Sequence, residues 1–374
     1  MRANGNRFRR PLFGLLTLLS ACSPETKATS ERSGPTLEKL ETVVLSESDS
    51  FLLTQPSGLA VTQRADRFIV SDVASGRVLR WTADGQPNGS WGRAGSGPGE
   101  LSGPVGVIWS GASIWVLDFG SRSWKQLDAS SGTQLSTMPF SGAPSNSVPS
   151  EFTDSLWVGL RVDATHTALG LLLPGADSVA QFVRLPSEYD SLGPVGIGRL
   201  TTIIRVRSGP TTIVGFAALN GIYILSEDTV VSDSVVIPAV RRRGMRAQTI
   251  RASNGDFAAL MNGISVLTHA GAATRAGRVI TVHYDPTVTG TDRPRITAKV
   301  FVSILDFANR QACVDTEVAA TGDARPLVQL VGDTLFILRQ SMTGNDVKTQ
   351  VDSYRVSDAS CNWLPLRGGA LIDP

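Results

Sequence analysis

Apolar residues fall along the chain in short runs, mostly four to eight long, separated by turn residues. Val105, Val107 and Trp109 alternate with Gly106 and Ile108, and after the turn at Ser110-Gly111 comes the apolar run Ile114 to Leu117. Two such runs around a tight turn predict a β-hairpin. Similar runs occupy Thr42 to Leu45, Leu156 to Val158, Thr211 to Ala217, Gly221 to Ser226 and Val230 to Ile237. Others are Arg278 to Tyr284, Ala298 to Leu305, Leu327 to Leu330, Leu335 to Leu338, Asp352 to Val356 and Asn362 to Leu366. Helical periodicity beyond a turn or two is absent, so the pattern predicts an all-β chain.

The stretch Trp91 to Val107 holds Gly95, Gly97, Gly99, Gly103 and Gly106 together with Pro98 and Pro104. Freedom at glycine and a fixed φ at proline suit neither a helix nor a strand interior, so this stretch is a link. The surrounding pattern also occurs upstream: Pro56 to Val61 matches Pro104 to Trp109, and Phe68 to Asp72 matches Ile114 to Asp118. Ser75 to Trp81 matches Ser121 to Leu127 in the same way. A repeat of roughly 40–50 residues holding about four short strands is the spacing of propeller blades.

These motifs, with the Gly/Pro-rich link, resemble the repeats of NHL-type six-bladed β-propellers. The resemblance is specific over 56–128 and architectural over 40–366. It implies six four-stranded blades at about 52–92, 93–142, 143–192, 193–244, 245–320 and 321–367, or seven if the long fifth unit hides two. A ring of blades counts as one domain, here 37–374, and the strand at Thr42 to Leu45 is expected to close it by completing the last blade.

Residues 1–21 read as a removable signal peptide: Arg2, Arg7, Arg9 and Arg10 precede the apolar core Leu12 to Leu19. Leu19-Ser20-Ala21-Cys22 resembles the lipobox of bacterial lipoproteins, in which the cysteine is lipidated. Ser23 in place of Asp points by that resemblance to the outer membrane. Residues 22–36 are polar and read as a tether, which spans at most about 45 Å when extended. The formal charge of +2 becomes −2 once the four leader arginines are removed, so nothing suggests nucleic-acid binding.

Cys313 and Cys361 remain in the mature chain, and an oxidising compartment invites a disulfide between them. Their separation of 48 equals one blade period, which argues for equivalent, distant positions and leaves two buried free thiols as the alternative. No nucleophile elbow, paired-histidine zinc motif, Cys-x-x-Cys or phosphate loop occurs. His166, His269 and His283 stand apart in sequence and read as strand or loop residues rather than ligands. Asp72 and Asp118 end matched strands and are expected to cap the following turns, with cation binding at the central channel as the alternative. The seven tryptophans read as packing between blades, or else as a sugar-stacking face.

Arg241, Arg242, Arg243 and Arg246 form the densest charged run, which reads either as a solvated loop or as a cradle for phosphate, carboxylate or acidic glycan. Arg199, Arg205 and Arg207 would be its natural partners. Taken together, the features predict a lipid-anchored, monomeric envelope propeller that binds a protein, peptide or glycan, without a cofactor beyond a structural cation. The alternative is a propeller hydrolase or lyase, lactonase-like, with a metal at the central channel.

Overall fold

The computed structural model describes residues 33–139, 156–159, 167–172, 180–184, 203–217, 219–226, 230–290, 295–318, 325–343 and 346–368. Cys22, His166 and Arg199 lie outside these residues. No helix among the described residues is long and apolar enough to cross a membrane.

The fold is an all-β propeller of antiparallel sheets. Strand β1 (Thr36–Val44) enters first, and the first blade follows as β2 (Pro56–Val61), β3 (Arg67–Asp72), β4 (Arg77–Thr82) and β5 (Pro87–Trp91). The second blade is β6 (Pro104–Ser110), β7 (Ser113–Asp118), β8 (Ser123–Asp128) and β9 (Gln134–Pro139). Next come β10 (Leu156–Gly159), β11 (Thr167–Leu172) and β12 (Ala180–Arg184), which pair as a three-stranded sheet. A four-stranded blade then runs β13 (Ile203–Ser208), β14 (Thr211–Phe216), β15 (Gly221–Ser226) and β16 (Val230–Val236). Helices α1 (Ala247–Ser253) and α2 (Phe257–Gly263) separate it from β17 (Val266–Ala272), β18 (Arg278–Thr289), β19 (Arg295–Asp306) and β20 (Gln311–Val318). The chain ends with β21 (Leu327–Val331), β22 (Thr334–Thr343), β23 (Asp346–Ser357) and β24 (Leu364–Pro365).

Five blades therefore have four or more strands, where the sequence predicts six or seven such units. The unit at 156–184 shows three strands among the described residues. The long unit at 245–320 holds a single sheet, and its extra length goes into the two helices and the extended β18–β19 hairpin. Asp256 caps α2 by accepting from the Ala259 amide at 2.7 Å, and Asn262 bonds the Val288 backbone in both directions.

The chain termini are interleaved. β1 pairs antiparallel with β23, from Thr36 opposite Ser357 to Val44 opposite Gln350, and so forms the outer strand of the last blade. Packing starts earlier than the expected tether boundary, because Pro35 O accepts from the Thr316 hydroxyl and Ser33 O from the Asn362 amide. With the outer edge of β23 occupied, the segment after it cannot form the expected fourth strand of the last unit. It crosses instead to the neighbouring sheet, where β24 pairs with β20 as a fifth strand.

That crossing brings Cys361 to within 5.5 Å, Cα to Cα, of Cys313 on β20, and the two form a disulfide. The period-matched spacing is misleading because Cys361 lies beyond the strands of its own blade.

Apolar cores fill the seams between blades rather than one central mass. Trp81, Leu79 and Phe68 of the first blade pack with Val43 and Leu45 and with Phe336, Leu338 and Val351 of the last blade. A second cluster joins Ala60, Ile69 and Val78 to Val107, Ile114 and Val116. Two more tie β13–β16 to β17–β20, and β17–β20 to β21–β23. Trp81, Trp91, Trp115 and Trp124 are all buried, which assigns them to packing rather than to a sugar-binding face.

Removing the disulfide with Cys313→Ser should cost about 4 kcal/mol in the chain-entropy model, for a closed loop of this length. Denaturant unfolding of the oxidised protein beside the variant and the reduced protein checks this, with the latter two expected to coincide.

Candidate functional site

The links between blades are where the charged residues singled out in the sequence come to rest. Asp72 accepts from the amides of Gln55 at 2.6 Å and Thr54 at 3.3 Å, so it caps the link that precedes its blade rather than the turn that follows. Asp118 accepts from the Ser102 amide at 2.9 Å and from the Ser121 hydroxyl at 2.7 Å, and pairs with Lys125 at 2.7 Å. Both aspartates are fully buried, with their carboxylates engaged by the fold. In the glycine-rich link itself, the Gly97 amide donates to the Glu100 carboxylate at 2.8 Å, and the Lys125 ammonium donates to Glu100 O. Gly92, at φ 76°, lies so close to Leu101 that an added Cβ would meet its Cδ1 at 2.7 Å.

The arginine run follows the same plan. Arg242 is buried, and its guanidinium donates to Asp315 at 2.9 Å, Asn220 Oδ1 at 3.0 Å, Ile237 O at 2.9 Å and Pro238 O at 3.2 Å. The other Asp315 oxygen accepts from the amides of Val240 and Arg241. Arg243 is half-buried and donates to Pro286 O, while its amide reaches Asp285 at 2.9 Å. Burial raises the Asp285 carboxyl above its ordinary pKa, against the Ser265 hydroxyl and Arg243 amide that favour the charged form.

Arg241 and Arg246 are exposed, so a cradle of four converging guanidinium groups does not form. Arg205 is buried on β13 and does not join the run at the surface. The reason is long range: Asp315, distant in sequence, lies across the blade seam and draws Arg242 inward.

Further buried charges are closed in the same way. Arg278 pairs with Asp306 at 3.0 Å and with Asp358. Asp352 receives Lys39 at 3.1 Å, Arg339 at 2.6 Å and the Thr42 hydroxyl at 2.5 Å.

The inner strands β2, β6, β17 and β21 border a cavity of about 100 Å³ at the channel. Ser57, Val105, Val266, His269, Tyr284, Arg325 and Gln329 are among its walls. Tyr284 is fixed by its hydroxyl, which donates to Pro326 O at 2.5 Å, and the Arg325 guanidinium carbon lies 5.8 Å from its ring centre. His269 is 7% exposed and forms no hydrogen bond to the described protein. Burial pushes its pKa down to about 4, so the imidazole is neutral at pH 7. His283 is 1% exposed, and neither ring nitrogen has a partner; burial and Arg242 hold it well below the ordinary range.

Sequence reading passed over Arg325 and treated His269 as an ordinary strand residue. The signal for His269 is a β-bulge, since Leu267 pairs with His283 and His269 with Val282, which leaves Thr268 as the extra residue. Among the described residues, no three histidine, cysteine, aspartate or glutamate side chains cluster to hold a metal ion.

Arg242→Glu should lose roughly 3–5 kcal/mol of stability, because it leaves Asp315 buried beside a second carboxylate. Arg241→Glu and Arg246→Glu should stay within about 0.5 kcal/mol of the parent in the same unfolding titration. The histidines set an acid dependence. The folded pKa of His269 lies below the unfolded value near 6.5, so the unfolded chain takes up its proton first. Stability should therefore be full above pH 6.5 and fall as pH drops toward 4, by up to roughly 3 kcal/mol from this residue. Comparison of His269→Gln with the parent across pH 4–7 isolates that slope, which the variant should lack.

No protein-family model matches the sequence, and no curated protein matches it. Among solved structures, a member of the DUF4221 family from Bacteroides vulgatus superposes with TM-score 0.59 at 8% identity, over 88% of this chain and 100% of that one. A Bacteroides fragilis protein described as exported superposes with TM-score 0.55 at 12% identity, over 86% of this chain and 95% of that one. At such identities the likeness is one of fold, and it places the chain among β-propellers with these bacterial structures as neighbours.

Proposed function

We propose that the protein is a lipid-anchored propeller of the bacterial cell envelope that binds a protein, peptide or glycan ligand. The observation that carries the binding reading is the contrast between its charges. Asp118 with Lys125 and Asp315 with Arg242 are engaged by the fold, while among the described residues His269 and Arg325 meet the channel cavity without a hydrogen bond or ion pair. Groups left free at a cavity are what a ligand site requires.

The envelope assignment is supported by the lipobox-like Leu19 to Cys22, by the Cys313–Cys361 disulfide, which suits an oxidising compartment, and by the exported neighbour of similar fold. The outer membrane is the compartment that Ser23 favours. The lactonase-like alternative is less well supported, because the described cavity wall contains no aspartate or glutamate to hold a catalytic metal. By the same test, a structural cation has only neutral oxygen donors there.

Lipidation should be visible in cells as palmitate labelling that is lost in Cys22→Ser and blocked at the precursor stage by globomycin. Unchanged labelling and processing of the Cys22→Ser protein would exclude the anchor.

A further inference from the structure

We propose that the channel cavity is a carboxylate site, in which Arg325 and His269 receive the head group of a small organic acid or a chain terminus whose apolar body lies against Val105 and Val266. This deepens the binding reading and rests on it.

His269 supplies the first argument. A neutral imidazole has one N–H donor and one acceptor nitrogen, and each calls for a partner. His269 is more than nine-tenths buried, makes no hydrogen bond to the described residues, and borders a cavity lined by four inner strands, where its nitrogens are open to a ligand. The β-bulge at Thr268 resets the alternation of β17 at this residue. Bulges recur where a side chain is re-aimed at a site. An oxygen acceptor in the cavity would satisfy the N–H.

Arg325 supplies the second. It is exposed, has no ion pair among the described residues, and sits over the face of Tyr284, whose own hydroxyl donates to Pro326 O. A guanidinium positioned on an aromatic ring keeps its N–H edge for a planar anion, and carboxylate is the group that edge fits.

The composition of the remaining wall supplies the third. Leu59, Val105, Leu117, Val266 and Leu267 are apolar, and no lining residue among the described ones is an acid. Ser57, Thr268 and Gln329 also line the wall but donate to Pro104 O, Val282 O and Leu330 O, which leaves one cation and one neutral donor to match a single negative charge. A phosphate dianion would call for more donors, and a metal ion for ligands that this wall lacks. The volume of about 100 Å³ suits a short acyl chain or one small terminal side chain.

The test is a titration of the purified full-length protein, followed by NMR at the His269 imidazole and by calorimetry. The probes are butyrate, a tripeptide ending in free valine, and the same tripeptide with an amidated end. Saturable binding of butyrate, of the free-acid peptide or of both is expected, with the His269 pKa rising by at least one unit on saturation as a carboxylate favours the imidazolium. Which of the two binds identifies the source of the head group.

Arg325→Gln, a change at an exposed position, should weaken binding at least tenfold while leaving the unfolding midpoint in place. The proposal is overturned if neither acid shifts the His269 resonance, if the amidated peptide binds as well as the free acid, or if Arg325→Gln binds as the parent does. The outcome is separable from the envelope reading. Loss of the carboxylate site leaves the Cys22 labelling result untouched, and failed labelling leaves the titration intact.

Discussion

The fold depends on where the amide groups of the inter-blade links find acceptors. The described links leave the outside of one sheet and return to the inner strand of the next, and some of their N–H groups have no strand partner. Asp72 accepts them at Thr54 and Gln55, Asp118 at Ser102, and Asp315 at Val240 and Arg241. Among the described residues Asp72 is held by amides alone, while the other two also meet a cation. Lys125 answers Asp118, and Arg242 answers Asp315. The same chemistry thus fixes blade spacing and uses up the charges that would otherwise mark a ligand site. His269 and Arg325 differ from these groups in bordering a cavity, whereas His283 is enclosed.

Much of the architecture was legible because it is local. Alternation within β6 and β7, a turn at Ser110-Gly111 and the repeat of Pro56 to Asp72 are properties of neighbouring residues, and they specify hairpins directly. The link from Gly92 to Gly103 was legible for the same reason, since positive φ at Gly92 and Gly99 is a backbone requirement written as glycine. Helices α1 and α2 were missed because seven residues give just under two turns of pattern, and α2 is held by Asp256 at its N-cap and Asn262 against Val288 while α1 has no side-chain cap. β24 was placed in the wrong sheet because the edge it needed was already filled by β1, a competition between segments at opposite ends of the chain.

The site was less legible than the fold, for an electrostatic reason. Four arginines in six residues look like a surface patch, yet Arg242 is drawn inward by Asp315, and Arg243 is held by its amide on Asp285 and its guanidinium on Pro286 O. Neither partner could be assigned by spacing alone. Asp72 and Asp118 were read correctly as caps, but for the wrong backbone segment, because the link before a blade and the turn after it both approach the strand end. His269 gave no sequence signal of its own; its distinction arises from a bulge and from what fails to reach it.

The arrangement of the termini bears on how the channel is insulated from load at the outer edge of the ring. Ser33, Pro35, Ser360 and Cys361 meet at the seam between β20 and β23, where backbone hydrogen bonds and the disulfide join entry to exit. A force applied through a tether at Ser33 would act first on β1 and on this cross-linked seam, both at the outer strands. The inner strands β2, β6, β17 and β21 are separated from it by two further strands of each sheet and by the apolar seams between blades. The geometry at the channel can therefore stay fixed while the outer edge is restrained, as a preorganised site requires.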